Sequence, residues 1–162
     1  MVKQGDTAGV IAPPPLLALG VIVFGIALDW LLPAYVLSIL LSLTERIVIG
    51  VVLMAVGLAL AVPARGAFVS AGTHVKPWKP STVLVTDGIF GRLRNPMYVG
   101  AILVLAGLAT ALASDWMLVL TILLVPVIHY GVVKREERYL AAKFGDAYRD
   151  YMAKVPRYGG PF

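Results

Sequence analysis

Two short polar groups of residues stand at the ends of long apolar runs. The first is the segment 94–100, Arg-Asn-Pro-Met-Tyr-Val-Gly, at the start of the third run, and the second is the pair Glu136-Glu137, just after the fourth. Asn95-Pro96 is typical of a helix start, where free backbone N–H groups attract anions, and Arg94 adds a full positive charge. Such a start binds a carboxylate or phosphate, whereas carboxylates accept hydrogen bonds from ribose hydroxyls. Together the two groups can hold a polar, partly anionic cofactor beside an apolar substrate.

Each group also has a purely structural interpretation. Asn95-Pro96 then only begins a helix, and Arg94 only contacts lipid headgroups. The acidic pair has basic residues on both sides, so it can equally form a solvated, self-paired charge cluster at a helix end. The residue types leave both interpretations open, and the choice depends on whether the fold brings the two groups together.

The composition indicates the environment of these groups. Of the 162 residues, 59% are hydrophobic and 14% are charged, and the mean hydropathy is +0.86. So few charges do not cover so much apolar surface in a soluble domain, so we predict an integral membrane protein with a single domain over residues 1–162. The lack of Cys and the wide separation of His74 and His129 predict no metal site.

Four apolar runs approach the roughly 20 residues that a helix needs to cross a bilayer. We predict an all-α, multi-pass bundle with spans at 13–32, about 47–62 ending at Pro63, about 96–113, and about 116–133. The apolar segment 34–43 is shorter and is interpreted as interfacial or as a helix extension, with a fifth short span left open. Residues 138–155 carry apolar side chains at helical spacing, which predicts a C-terminal amphipathic helix.

Charge asymmetry predicts the orientation of the spans. The formal net charge is +5, and every Lys and Arg except Arg46 falls on the side that receives the N-terminus, the segment 64–95 and the C-terminal tail. The positive-inside rule places that side, with both termini, in the cytoplasm. Membrane orientation and anionic lipid headgroups therefore explain the basic residues better than nucleic acid does.

A very short turn near Ser114-Asp115 forces the third and fourth spans into an antiparallel hairpin. Asn95 lies about 19 residues before this turn and Glu136 about 21 after it. At about 1.5 Å per residue, both lie roughly 30 Å from the turn, at the same face of the membrane. The hairpin therefore predicts one shared neighbourhood for both polar groups, Tyr98 and His129.

Three further features belong to the same end of the predicted bundle. His129 lies inside the fourth span, where an ionisable residue is functional by default, although a neutral His bonded to a neighbouring helix fits equally. Pro126 in the same span is expected to bend the helix and to free a backbone carbonyl. The polar loop 71–91 is either a lid over the cofactor or a simple connection.

The order of these residues resembles a known family. The chain is similar to isoprenylcysteine carboxyl methyltransferases and to phospholipid N-methyltransferases over roughly residues 47–158. The resemblance rests on Gly72-Thr73, Pro77, Pro80, Leu84-Val85-Thr86, Gly88, Phe90, the segment 94–100, Glu136-Glu137-Arg138-Tyr139-Leu140, Phe144-Gly145, Tyr148, Tyr151, Val155 and Arg157. The ending 136–157 resembles the bacterial members of the group.

The resemblance implies a membrane-embedded methyltransferase that uses S-adenosylmethionine. Residues 1–46 are then an N-terminal helix with an interfacial segment, and 47–162 are the family-like core, in a bacterial inner membrane. The residues that the resemblance assigns to the cofactor pocket are Arg94, Asn95, Pro96, Tyr98, Gly100, Glu136 and Glu137. Asn95 stands where the family more often has His.

The resemblance further implies a lipophilic small-molecule acceptor that arrives through the membrane lipids. The acceptor group is left open between a carboxylate, an amine and a thiol. A carboxylate needs no general base, whereas an amine must lose a proton, and His129 is then the candidate catalytic residue.

Two alternatives belong to other functional classes. The first is an NADPH-dependent membrane reductase, because related sterol reductases share part of this architecture, but the chain has no Gly-x-Gly-x-x-Gly loop. The second is a non-catalytic membrane module. Few intramembrane ionisable residues and no internal repeat argue against a transporter.

Overall fold

The computed structural model describes residues 6–74 and 76–159, and the described part is helical with no strand. Seven α-helices follow each other within these described residues. They are α1 (Pro14–Leu31), α2 (Val36–Leu40), α3 (Leu43–Ser70), α4 (Pro96–Leu112), α5 (Asp115–Ile128), α6 (Lys134–Phe144) and α7 (Asp146–Lys154). A short 3₁₀ turn, Gly88–Gly91, precedes α4, and a π-helical segment, His129–Val133, joins α5 to α6.

The apolar helices confirm the predicted multi-pass membrane bundle. Three helical stretches are long and apolar enough to cross a bilayer: Pro14–Leu31, Leu43–Ser70 and the continuous helix Asp115–Phe144. The fourth, α4, has 17 residues and is also apolar. The fifth short span that the sequence left open does not form, because α2 has only 5 residues and rises about 8 Å.

The prediction that the second span ends at Pro63 is wrong. Helix α3 continues through Pro63 to Ser70, which makes it 28 residues long. Proline removes one backbone hydrogen bond but does not end a membrane helix that is packed on both sides of it. Ala64, the next residue, is fully buried, so packing continues past the proline. The extension carries α3 to the end of the bundle at which the two polar groups lie.

Paired glycines bring α3 and α4 into direct backbone contact. A Cβ atom added to Gly57 would lie 2.6 Å from the carbonyl oxygen of Gly100, and one added to Gly50 would lie 2.6 Å from that of Gly107. The pairs are one heptad apart on each helix, so they form one antiparallel seam. Small residues allow this close approach, as expected of helix packing in membranes.

At the end of the bundle opposite the polar groups, aspartate side chains cap the starts of α2 and α5. Ala113 has a left-handed backbone (φ 54°), and Ser114 caps α5. The Asp29 carboxylate accepts a hydrogen bond from the Ser114 hydroxyl and another from the backbone N–H of Trp116, at 3.2 Å. Asp115 in turn accepts from two backbone N–H groups at the start of α2. Asp29 therefore helps to cap α5, and Asp115 caps α2.

The C-terminal amphipathic segment forms two helices, not one. Gly145, between α6 and α7, has φ 58° and ψ −130°, a backbone conformation that side-chain-bearing residues rarely adopt. The chain turns there, so that Tyr148, Tyr151 and Val155 form a buried cluster against Leu84 of the loop. The break therefore directs the tail back to the start of α4.

We predict that Gly57→Ala destabilises the bundle, because its new Cβ would overlap the Gly100 backbone and force α3 away from α4. The expected loss is about 1–3 kcal/mol, measured as a lower unfolding temperature in detergent. The matched control is Gly66→Ala, in the same helix, where an added Cβ meets nothing within 4 Å. Equal effects of the two substitutions would contradict the glycine seam.

Candidate active site

A cavity of about 600 Å³ lies at the end of the bundle that holds both polar groups. Its walls come from the start of α1, the end of α3, the loop between α3 and α4, the start of α4, and helices α6 and α7. Apolar and aromatic side chains form much of the lining, among them Pro14, Phe68, Trp78, Met97, Ala101 and Tyr148. This volume lies within the range of about 300–1,000 Å³ that is typical of cofactor and ligand sites.

The Glu137 carboxylate binds two guanidinium groups. Arg157 Nε and Nη2 donate to its two oxygens at 2.8 and 2.7 Å, and Arg94 Nη1 lies 2.9 Å from Oε1. The side chains of Arg94 and Glu137 are only 9% and 10% exposed. This buried cluster joins the start of α4, helix α6 and the C-terminal tail, and confirms the predicted proximity of the two polar groups.

Arg94 retains buried donors that the protein does not satisfy. Its Nη1 is close enough to Glu137 for ion pairing but is not aligned for a hydrogen bond, and its Nε has no partner among residues 6–74 and 76–159. An unsatisfied buried donor costs about 1–3 kcal/mol. Arg94 also lines the cavity, so an anion bound there would satisfy donors that are already desolvated.

Glu136 has a different environment from its neighbour. Tyr98 donates to Glu136 Oε2 at 2.8 Å, and both residues line the cavity. This bond joins α4 to α6 and sets the orientation of the carboxylate. The two acidic residues therefore differ: Glu137 is occupied by arginines, whereas Glu136 presents a carboxylate to the cavity.

Asn95 and Pro96 begin α4, but the Asn95 side chain does not cap it. Pro96 occupies the first helical position as predicted, and no hydrogen bond from the Asn95 side chain to the helix is present. Its Nδ2 instead donates to the carbonyl oxygen of Arg157 at 3.4 Å, and Arg94 N donates to that of Pro156 at 3.0 Å. The segment is therefore bound to the tail. The Asn95 side chain donates to a tail carbonyl and makes no capping hydrogen bond with α4.

His129 and Gly100 lie outside the cavity lining. His129 Nδ1 lies 2.8 Å from the Tyr158 hydroxyl, and its ring packs against the Tyr130 ring. The π-helical segment that begins at His129 rotates the following residues, which sequence spacing does not reveal. Gly100 faces Gly57 in the helix seam.

The loop between α3 and α4 is a wall of the cavity and is held in place. Ser81 N donates to the Tyr139 hydroxyl at 3.1 Å, and Thr82 N donates to the Thr73 hydroxyl at 3.0 Å. Trp78 and Lys76 of this loop line the cavity. The loop lines the cavity and is bound to α6 through Tyr139, so it is more than a simple connection.

The N-terminal segment is attached to the same wall. Asp6 binds Lys143 at 2.7 Å and accepts from the Tyr139 hydroxyl at 2.8 Å, and these two contacts hold the pKa of Asp6 below its usual range. Arg135 Nη1 donates to the Gly9 carbonyl at 2.8 Å, and Ile11 N donates to that of Gly131. The segment before α1 thus fastens α1 to the π-helical segment and α6.

Two tyrosines of α7, Tyr148 and Tyr151, line the cavity with neutral hydroxyl groups. Burial raises the pKa of Tyr151 to about 12 and raises that of Tyr148 further. Tyr151 donates to the Phe90 carbonyl at 2.7 Å, which binds α7 to the 3₁₀ turn before α4. The hydrogen bond with Glu137 raises the pKa of Arg157, so Arg157 stays charged.

Sequence reasoning did not assign Arg157, Trp78 or Phe68 to the site. Arg157 belongs to the motif that carried the resemblance, and its position after the last helix was the available signal. The two aromatic residues reach the cavity from α3 and its following loop, and no pattern in the sequence indicates that approach.

The fold and the site define a multi-pass membrane protein with a cofactor-sized cavity at one end of its helices, largely apolar but containing several charged side chains. The family model for phospholipid methyltransferase matches residues 45–147. The match covers more than half of the chain, so the chain belongs to the phospholipid methyltransferase family. The match includes nearly all of α3, the loop, and the whole of α4, α5 and α6.

The chain is also similar to a curated relative that is a methyltransferase by name. The chain is 36% identical over 74 residues to a protein-S-isoprenylcysteine O-methyltransferase of Schizosaccharomyces pombe. The match covers 46% of this chain and 31% of the relative, so the chain aligns with less than a third of that protein. No solved structure matches the chain. Both family resemblances inferred from the motifs are confirmed.

We predict that Glu137→Gln destabilises the protein by about 3–5 kcal/mol, because it leaves two guanidiniums without their buried counter-charge. The measurement is chemical or thermal unfolding in detergent. Asp146→Asn is the matched control, since it removes a surface ion pair. In that pair the Arg149 side chain is 62% exposed and the Asp146 side chain is 90% exposed. The control is expected to lose less than about 1 kcal/mol. A Glu137 variant as stable as the control would contradict the structural role of the cluster.

Proposed function

We propose that this chain transfers a methyl group from S-adenosylmethionine to a lipophilic carboxylate acceptor at the cytoplasmic face of a membrane. The observation that carries the proposal is the cavity itself. In it, Arg94 N–H groups without a hydrogen-bond partner among the described residues and the Glu136 carboxylate, held by Tyr98, lie among apolar walls. Membership of the family and the name of the curated relative support the same reaction class.

The residues present fit this cofactor chemically. Arg94 would hold its amino-acid carboxylate, because a guanidinium offers a planar set of donors and Nε has no described protein partner. Glu136 would accept hydrogen bonds from the ribose hydroxyls or the ammonium group, while Tyr98 keeps the carboxylate oriented. When bound, the cofactor supplies an electrophilic methyl group on a positively charged sulfur.

The chain's own contribution is binding, orientation and exclusion of water. Aromatic residues line the cavity, including Phe68, Trp78 and Phe90, and aromatic faces attract a cationic sulfur. Methyl transfer is a direct displacement, so alignment of the reacting atoms accounts for much of the expected rate enhancement. The fastened loop and tail keep these walls in place.

The charges of the cavity favour an anionic acceptor. Arg65, Lys76 and Lys79 line it in addition to Arg94, which pairs with Glu137. Against these three further cations, Glu136 is the one lining carboxylate without a cationic partner among the described residues. A carboxylate is already deprotonated and needs no base, whereas an amine needs one, and the proposed base His129 faces Tyr158 outside the cavity. The curated relative is by name an O-methyltransferase, which supports ester formation.

We expect S-adenosylhomocysteine to raise the unfolding temperature of the purified protein in detergent, and NADPH to leave it unchanged. Glu136→Gln should weaken the affinity about tenfold or more, because it removes charge-assisted hydrogen bonds while its amide oxygen still accepts from Tyr98. Arg94→Lys should also weaken binding, since it keeps the charge but loses the planar donors. Glu45→Gln, at the other end of α3, is the control and should bind normally. Stabilisation by NADPH alone would favour the reductase alternative.

We expect the methylated product to be an ester. Membrane lipid extract incubated with the protein and methyl-labelled cofactor should yield label that mild alkali releases as methanol. His129→Gln should then lower turnover by less than about tenfold, because removing a general base typically costs about 100-fold or more. Alkali-stable label, together with a loss of turnover of about 100-fold or more in the His129 variant, would contradict the carboxylate acceptor. That result would not contradict the binding of the cofactor.

A further inference from the structure

A second groove lies on the outer side of α6, behind the cavity. It has a volume of about 460 Å³ and is lined by Tyr130, Lys134, Arg138, Ala141, Met152 and Arg157, with Glu137 at its inner end. We propose that this groove binds the phosphate headgroup of an anionic phospholipid. The proposal is independent of the methyl-transfer reaction and concerns a different face of the protein.

The charges of the groove match a phosphate. Three cationic side chains line it, and its single carboxylate, Glu137, is already bound by both Arg157 and Arg94. The groove therefore has a net positive charge toward a bound ligand. Arginine and lysine are the residues that bind phosphate groups in proteins, and phosphates at a membrane surface attract them.

The side chains of the groove are arranged along one helix face. Tyr130, Lys134, Arg138 and Ala141 follow each other at intervals of three or four residues, through the π-helical segment and α6. Lys134 Nζ lies 5.0 Å from the centre of the Tyr130 ring, and Arg138 Nε donates to the Lys134 carbonyl at 3.3 Å. Both cations are thereby held beside the helix on which the groove is built.

The position of the groove fits a membrane lipid better than a free ion. The same helix carries exposed apolar side chains just before it, including Leu123 and Val127, and Tyr130 is 63% exposed. The order along the helix is therefore apolar, aromatic and cationic. This is the order of acyl chains, interface and headgroups in a bilayer, where tyrosine is enriched at the boundary. One lipid can contact all three zones.

The test uses the full-length protein in a neutral detergent. Short-chain phosphatidylglycerol should raise the unfolding temperature, whereas phosphatidylcholine with the same chains should give less than half of that shift. The double variant Lys134→Gln/Arg138→Gln should lose most of the phosphatidylglycerol shift. Added salt should reduce the shift in the unsubstituted protein, because exposed charges are screened.

A second double variant controls for net charge. Arg92→Gln/Lys154→Gln removes the same charge from two exposed positions that do not line the groove, and should keep the full shift. Equal shifts with both lipids, or an unchanged phosphatidylglycerol shift in the Lys134/Arg138 variant, would overturn the proposal. A shift of the same size with inorganic phosphate alone would overturn the assignment to a lipid.

Discussion

The ion cluster around Glu137 connects the parts of the molecule that form the cavity. Glu137 comes from α6, Arg94 from the residues just before α4, and Arg157 from the tail beyond α7. A carboxylate at this depth is stable only with paired charges, so the three segments must meet. The same contact leaves part of the Arg94 guanidinium facing the cavity. A structural interaction therefore also presents a cationic group to the cavity.

The adjacent carboxylates Glu136 and Glu137 have different partners, although both line the cavity. Glu137 is bound by two arginines, whereas the Tyr98 hydroxyl is the only hydrogen-bond donor to the Glu136 side chain among the described residues. The two residues are neighbours on a helix, so their side chains point about 100° apart. Glu137 therefore meets the tail and a residue just before α4, and Glu136 meets a tyrosine inside α4.

The remaining walls depend on contacts far apart in sequence. The glycine seam sets how closely α3 approaches α4, and α3 carries Phe68 to the cavity. Tyr139 fastens both the loop, through Ser81, and the N-terminal segment, through Asp6. Residues near the N-terminus, the middle and the C-terminus therefore share one wall. The outer groove uses the other side of α6 and shares Glu137 and Arg157 with this cluster.

The sequence by itself determined the membrane bundle, the hairpin of α4 and α5, and the end of the bundle at which the polar groups meet. These follow from hydropathy, the short turn at Ser114 and the constant rise of a helix. Only the tertiary structure decided that α3 passes Pro63, that His129 faces Tyr158 and that Gly145 separates two helices. It also decided that Glu137 is bound by the two arginines and that Glu136 is bound by Tyr98. Rotation about a helix axis depends on π-helical insertions and packing partners, and local sequence periodicity does not contain that information.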